Sequence, residues 1–143
     1  MKKLLFLALS AGFVFSSCSN DDDDTPSIIG TWRPSQTITV SGKTGNVIDT
    51  EDASTCYKKS TFEFKSNGSL VAVIYEDNGF GACSNIGTDT ISYSYNYDKK
   101  RIIIDDEEQE VIRHTDNKIQ IVTEYDDVDG DNIDDKIITV LTK

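Results

Sequence analysis

Histidine, basic charge and long apolar runs are all scarce in this chain, and each shortage excludes a class of function. Its 143 residues hold one histidine, His114. A single imidazole cannot build a multi-histidine zinc site or supply two catalytic bases. Lys and Arg number 14 against 25 Asp and Glu, a net charge of −11. Such a surface repels nucleic acid, whose binding rests on cationic contacts to phosphate, so no nucleic-acid partner is expected. Only the N-terminus carries an apolar run long enough to concern a membrane, which excludes a multi-span protein. No Cys-x-x-Cys pair supports redox chemistry, and no Gly-x-Ser-x-Gly elbow supports a hydrolase nucleophile. Acidic side chains are everywhere, so a carboxylate pair carries no catalytic signal. The expectation is a protein that is not an enzyme.

What is present begins with an address. Lys2-Lys3 precedes an apolar stretch, Leu4 to Phe15, broken only by Ser10 and Gly12 and followed by Ser16, Ser17 and Cys18. About 12 residues fall short of a comfortable span and fit a secretory signal. Phe15-Ser16-Ser17-Cys18 resembles a lipobox, with Phe15 where Leu is usual, the relaxed form common in lipoproteins of the Bacteroidetes. That resemblance implies cleavage after residue 17 and lipidation of Cys18, hence a lipid anchor in the outer membrane. Each buried methylene contributes about 0.8 kcal/mol, so two or three acyl chains hold firmly. Asp21 to Asp24 form a run that stays solvated. An acidic stretch just after the lipidated cysteine resembles the surface-export signal of the same lipoproteins, which implies the extracellular face; a plain spacer is the alternative. Three segments follow: a leader over 1–17, the lipidated cysteine and acidic linker over 18–27, and one folded domain over 28–143.

Beyond Pro26 no convincing helical stripe occurs. Apolar residues alternate or come in short runs between turn signals, as in strands. Trp32 to Val40, Tyr57 to Phe64, Ser69 to Tyr75, Thr90 to Tyr97, Arg101 to Asp105, Glu110 to Thr115, Ile119 to Tyr125 and Lys136 to Leu141 read as strands. Ser41 to Thr55 reads as a long polar loop and Asn78 to Gly87 as a Gly-rich one. Asn67-Gly68 marks a tight hairpin, since both residues tolerate positive φ. Eight short strands joined mostly by hairpins predict an all-β fold, an eight-stranded antiparallel up-and-down barrel whose closure removes exposed edges.

Ile29-Gly30-Thr31-Trp32 resembles the Gly-x-Trp opening of lipocalins, where the Trp packs across one barrel end. Cys56, then Thr61-Phe62-Glu63-Phe64-Lys65-Ser66-Asn67-Gly68, resembles the Cys and Thr-Phe-x-Phe-x-x-(Asn/Asp)-Gly of lipocalin-like lipoproteins of the Bacteroidetes. Tyr93-x-Tyr95 before an Ile-rich strand and the terminal Leu141-Thr142-Lys143 are similar too. The chain carries no obvious C-terminal arginine to stack on Trp32. The resemblance spans residues 28 to 143 and implies a lipocalin-like barrel, a fold with room for one small molecule, in a family many of whose members have no known ligand.

Three constellations remain. With Cys18 lipidated, Cys56 and Cys83 are left to pair outside the cytosol, where disulfides persist; two buried free thiols are the competing reading. Tyr93, Tyr95 and Tyr97 share one strand face and, with Trp32, are candidates to line a ligand cavity; core filling is the other reading. His114, between Arg113 and Thr115, reads as solvent-facing. Asp126 to Asp135 places six Asp in ten residues. Asp127, Asp129, Asp131 and Asp135 resemble one Asp-rich unit of thrombospondin type 3 repeats, which implies a weak Ca2+ site; a solvated hairpin is the plain alternative. No cofactor is required by any of these residues. Two functions are carried forward: a binding module for a small molecule, and a surface structural or protein-interaction module with a filled barrel. An interior cavity of about 300 Å3 or more favours the first, a barrel packed shut the second.

Overall fold

The computed structural model describes residues 25–143. The leader, Cys18 and the Asp21–Asp24 run lie outside them. Nine strands appear: β1 Gly30–Val40, β2 Val47–Asp52, β3 Thr61–Phe64, β4 Ser69–Asp77, β5 Cys83–Asn96, β6 Arg101–Ile104, β7 Glu107–Thr115, β8 Lys118–Asp126 and β9 Asp135–Thr142. All pairings are antiparallel, each barrel strand pairs with the next, and β1 pairs with β9, so eight strands close a barrel and β2 is extra. The turns follow their residues. Gly68 takes φ +80°, and Asn67 Oδ1 accepts the Ser69 N–H at 3.0 Å. Asp105 and Asp106, both at positive φ, join β6 to β7 in a two-residue turn.

The extra strand corrects the polar loop expected over 41–55. One edge of β1 is shared: Gly30–Trp32 pairs with β3, and Gln36–Val40 pairs with β2. β3 is only four residues long, so without β2 the second half of that edge would be bare. Every residue of β2 is exposed, so no alternation of burial marks it in the sequence. β5 likewise starts at Cys83, inside the expected Gly-rich loop, because it pairs with the full length of β4.

β4 outruns β3 as well. Its last residues have β5 on one side and no strand on the other. Fully buried Ser60 meets part of this deficit, its Oγ accepting the Tyr75 N–H at 2.9 Å. A buried backbone donor without a partner is costly. The barrel therefore has a lateral gap between β2 and the end of β4, beside the 3-10 turn Tyr57–Lys59, which packs against β1 and β4.

The core gathers at one end. Trp32, Phe64, Leu70, Ile102, Val111, Ile119, Ile121 and Leu141 are buried together with Ile28, and Phe62, Ile91, Tyr93, Tyr95 and Ile104 pack against them. That end carries the β3–β4, β5–β6 and β7–β8 turns. The opposite end carries the β1–β2, β4–β5 and β8–β9 loops.

Candidate functional site

Trp32 seals the first end. It is fully buried, and its Nε1–H donates to the Ile28 carbonyl at 2.7 Å, folding the entering chain under the barrel. The Lys143 ammonium lies 4.6 Å from the Trp32 ring centroid and donates to the Ser27 carbonyl at 3.1 Å. A cation over an indole face is attracted by the ring quadrupole, so lysine takes the stacking place for which no arginine was found.

His114 belongs to this plug, which corrects the solvent-facing expectation. A bulge between Val111 and Arg113 shifts the pleat by one residue, so Val111 pairs with Ile121 and His114 with Ile119. Both Ile119 and Ile121 are core residues. A one-residue slip moves a side chain to the other face, and the slip carries His114 inward. Its ring stands edge-on to Trp32 at 5.8 Å and to Tyr95 at 5.3 Å, and Nδ1 is 2.9 Å from the Tyr95 hydroxyl. Nε2 is buried with no hydrogen-bond partner among the described residues. Burial and then the Lys143 charge hold the His114 pKa below its usual value, against smaller opposing effects of Asp116 and the Ser27 backbone. Burial, with Tyr97 adding, pushes Tyr95 up to about 12.

Of the four aromatic residues expected to line a cavity, Trp32, Tyr93 and Tyr95 pack into this sealed end, and Tyr95 and Tyr97 also border a hollow of about 160 Å3 beside His114. Tyr93 packs edge-to-face on Phe64 at 4.9 Å, and its hydroxyl donates to the Lys65 carbonyl at 2.8 Å. Tyr97 lies just past the end of β5 and is 38% exposed. None of Trp32, Tyr93, Tyr95 or Tyr97 borders the apolar chamber described next. The shared face was read correctly from the alternation. Position along the barrel axis was not, because alternation carries no information about depth.

The chamber lies further up the barrel and has a volume of about 220 Å3. Phe62, Leu70, Ala72, Ile91 and Ile121 form much of its wall, with Gln109, Thr123 and Thr139 as polar points. Tyr57 also borders it. Ala72 leaves room where a larger residue would fill it. No pattern in the sequence singled these residues out beyond their inward alternation. The volume falls short of the roughly 300 Å3 set above as favouring a binding module, yet an engineered apolar cavity of about 150 Å3 elsewhere holds benzene.

The chamber end of the molecule is held by a covalent bond. Cys56 and Cys83 form a disulfide across 27 residues. It ties the turn carrying Tyr57 to the start of β5. Burial raises the Tyr57 pKa.

The Asp-rich loop connects β8 to β9 at the same end. Asp127, Asp129 and Asp135 each place a carboxylate oxygen within 4.8 Å of the others. Asp131 does not join them; its Oδ2 is 3.5 Å from Lys43 Nζ. Asp135 is fully buried, accepting the Gly42 N–H at 2.9 Å on Oδ1 and the Val128 and Asp129 N–H groups at 3.0 and 3.3 Å on Oδ2. Asp127 accepts the Asp131 and Asn132 N–H groups, both at 2.9 Å. Gly42 has no alternative here, since a Cβ would strike the Asp134 carbonyl oxygen. Backbone donors thus offset part of the mutual repulsion of these carboxylates.

A closed eight-stranded meander, sealed by a Trp at one end and hollow toward the other, defines the lipocalin class of barrel. Residues 28–121 match the family of the lipocalin-like domain, and the chain belongs to that family. No curated protein and no solved structure is significantly similar to it.

Proposed function

We propose that the protein is an outer-membrane lipoprotein, anchored through lipidated Cys18 and facing outward, whose barrel binds a small apolar molecule. One observation carries the binding reading: the apolar chamber of about 220 Å3 inside the barrel. Apolar hollows with a few polar points are the usual form of small-molecule sites. A barrel packed shut, as an interaction module requires, fits this hollow less well. The anchor rests on the lipobox-like Phe15-Ser16-Ser17-Cys18 and the acidic run behind it. No helix among the described residues is long and apolar enough to cross a membrane.

The chamber is tested with octan-1-ol as probe. Calorimetric titration should show saturable binding that Ala72→Phe abolishes by filling the hollow. Binding undiminished in that variant removes the chamber from the function. For the anchor, Cys18→Ala should move the protein from the membrane to the soluble fraction, and Asp21–Asp24 replaced by Ala should protect it from protease added to intact cells.

A further inference from the structure

A second cavity adjoins the chamber. It is a groove of about 550 Å3 at the lateral gap, and Glu51, Asp52, Glu76 and Asp77 line it. Tyr57 borders both groove and chamber, so the two lie side by side. The register shows which way the acids stand. Glu51 pairs with Thr37, and Thr37 with Thr139, a chamber residue. Directly paired residues share a sheet face, so Glu51 lies on the inward face of β2. Asp89 pairs with Ala72, also a chamber residue, and so takes the inward face of β5. Asp52 accepts the Gln36 amide and Asp77 the Gly79 N–H. Glu51 and Glu76 are exposed in the groove. No lysine or arginine among the described residues lines either cavity.

Building on the proposed chamber, we infer that the ligand is a cationic amphiphile. A short apolar body fills the chamber, and an organic ammonium head lies in the acidic groove past Tyr57. The apolar wall selects the body by burial, which is indifferent to charge. The groove selects the head: several carboxylates with no basic residue attract a cation, give a neutral head no Coulombic gain and repel an anion. A bare metal ion leaves the chamber unused, and an uncharged hydrocarbon leaves the groove unused.

Octylammonium, octan-1-ol and octanoate share one tail and differ in the head. Titrated into the full-length chain at low salt, octylammonium should bind about tenfold more tightly than octan-1-ol, the summed effect of a few exposed ion pairs. Octanoate should bind most weakly. The ammonium advantage should shrink in about 0.5 M salt, where exposed charges are screened. Glu51→Gln combined with Glu76→Gln should bring octylammonium down to the affinity of octan-1-ol and leave octan-1-ol unchanged. Equal affinity of octylammonium and octan-1-ol for the unaltered chain overturns the charged head while the chamber stands. A preference that survives the double substitution overturns the groove as its seat. If none of the three binds, or if Ala72→Phe leaves all three bound, the chamber itself falls. Ala72→Leu serves the same purpose should Phe disturb the barrel.

Discussion

The two ends of the barrel are built by opposite means. The Trp32 end is closed by side chains far apart in sequence: Trp32, Phe64, Tyr93, Tyr95, His114 and Lys143 meet there, contributed by four strands and the C-terminal residue. Its stability is that of a packed interior. The chamber borders that core through Leu70, Ile121 and Leu141, but the loop end beyond it has little such packing to draw on. It is held by a disulfide, by Asx-type bonds within loops, and by one buried carboxylate that gathers two loops. A hollow cannot be stabilised by the atoms that would fill it, so its walls are fixed by covalent and polar bonds instead. The division places close packing at one end and a hollow at the other.

The comparison breaks most visibly at Trp32. Trp32→Ala should cost about 3–5 kcal/mol, the range for a large buried aromatic, read as a fall in the denaturant midpoint. A loss under about 1 kcal/mol would mean that the end is not sealed by packing. Next comes the staple. Reducing the Cys56–Cys83 bond, or replacing both with Ser, should cost about 3.5 kcal/mol in the chain-entropy account for a loop of this length. The double variant should also bind octan-1-ol more weakly, because Tyr57 rides on the released turn. Unchanged affinity would separate the staple from the site.

The sequence disclosed the ends unequally. Gly30-Thr31-Trp32, the Phe62/Phe64 alternation and Asn67-Gly68 marked the sealed end and its hairpin, because period-2 patterning and turn chemistry are local signals. The cysteine pair was legible by arithmetic. The chamber and groove were not. They arise where β3 is shorter than both its neighbours, a fact about pairing lengths that no single strand states. β2 was lost for the same reason, being exposed throughout. His114 was misplaced by a bulge, which sequence alternation cannot register. The Asp-rich loop was visible as composition, but its backbone donors depend on a turn whose path the composition does not specify.

Those donors set the third prediction. Asp135→Asn keeps the shape of the side chain but turns one acceptor into a donor facing backbone N–H groups. It should cost about 1–3 kcal/mol, the penalty for a buried polar group left unsatisfied. The loss should appear as faster hydrogen exchange at Gly42 and Val128 ahead of the sealed end. Repeating the melt in millimolar calcium puts an ion in competition with the same donors. A rise of several degrees that Asp129→Asn abolishes assigns the cluster an ion. An unchanged Tm leaves the backbone as its sole counterweight.

The smallest effect belongs to the sealed end and concerns pH. His114 faces Trp32, Tyr95 and Tyr97, with Lys143 and Asp116 as the neighbouring charges and the Ser27 backbone nearby. Its pKa in the folded chain is lowered from 6.5, with burial the leading cause and Lys143 the second. The unfolded chain therefore binds the proton more readily over the window below pH 6.5. Where the unfolded state holds more protons, stability rises with pH. His114 thus contributes full stability above its unfolded pKa, loses it as pH falls toward the folded pKa, and loses nothing further below that. Glu110, whose carboxylate is held low by its hydrogen bond to Lys136, titrates beneath this window and so does not mask it. The urea midpoint of the unaltered chain should fall as the pH is lowered through 6.5, and His114→Phe should flatten that segment while leaving the acid limb below it in place. A slope that persists in His114→Phe would move the titration to another group and would leave the Trp32 plug insensitive to protons, as purely apolar packing should be.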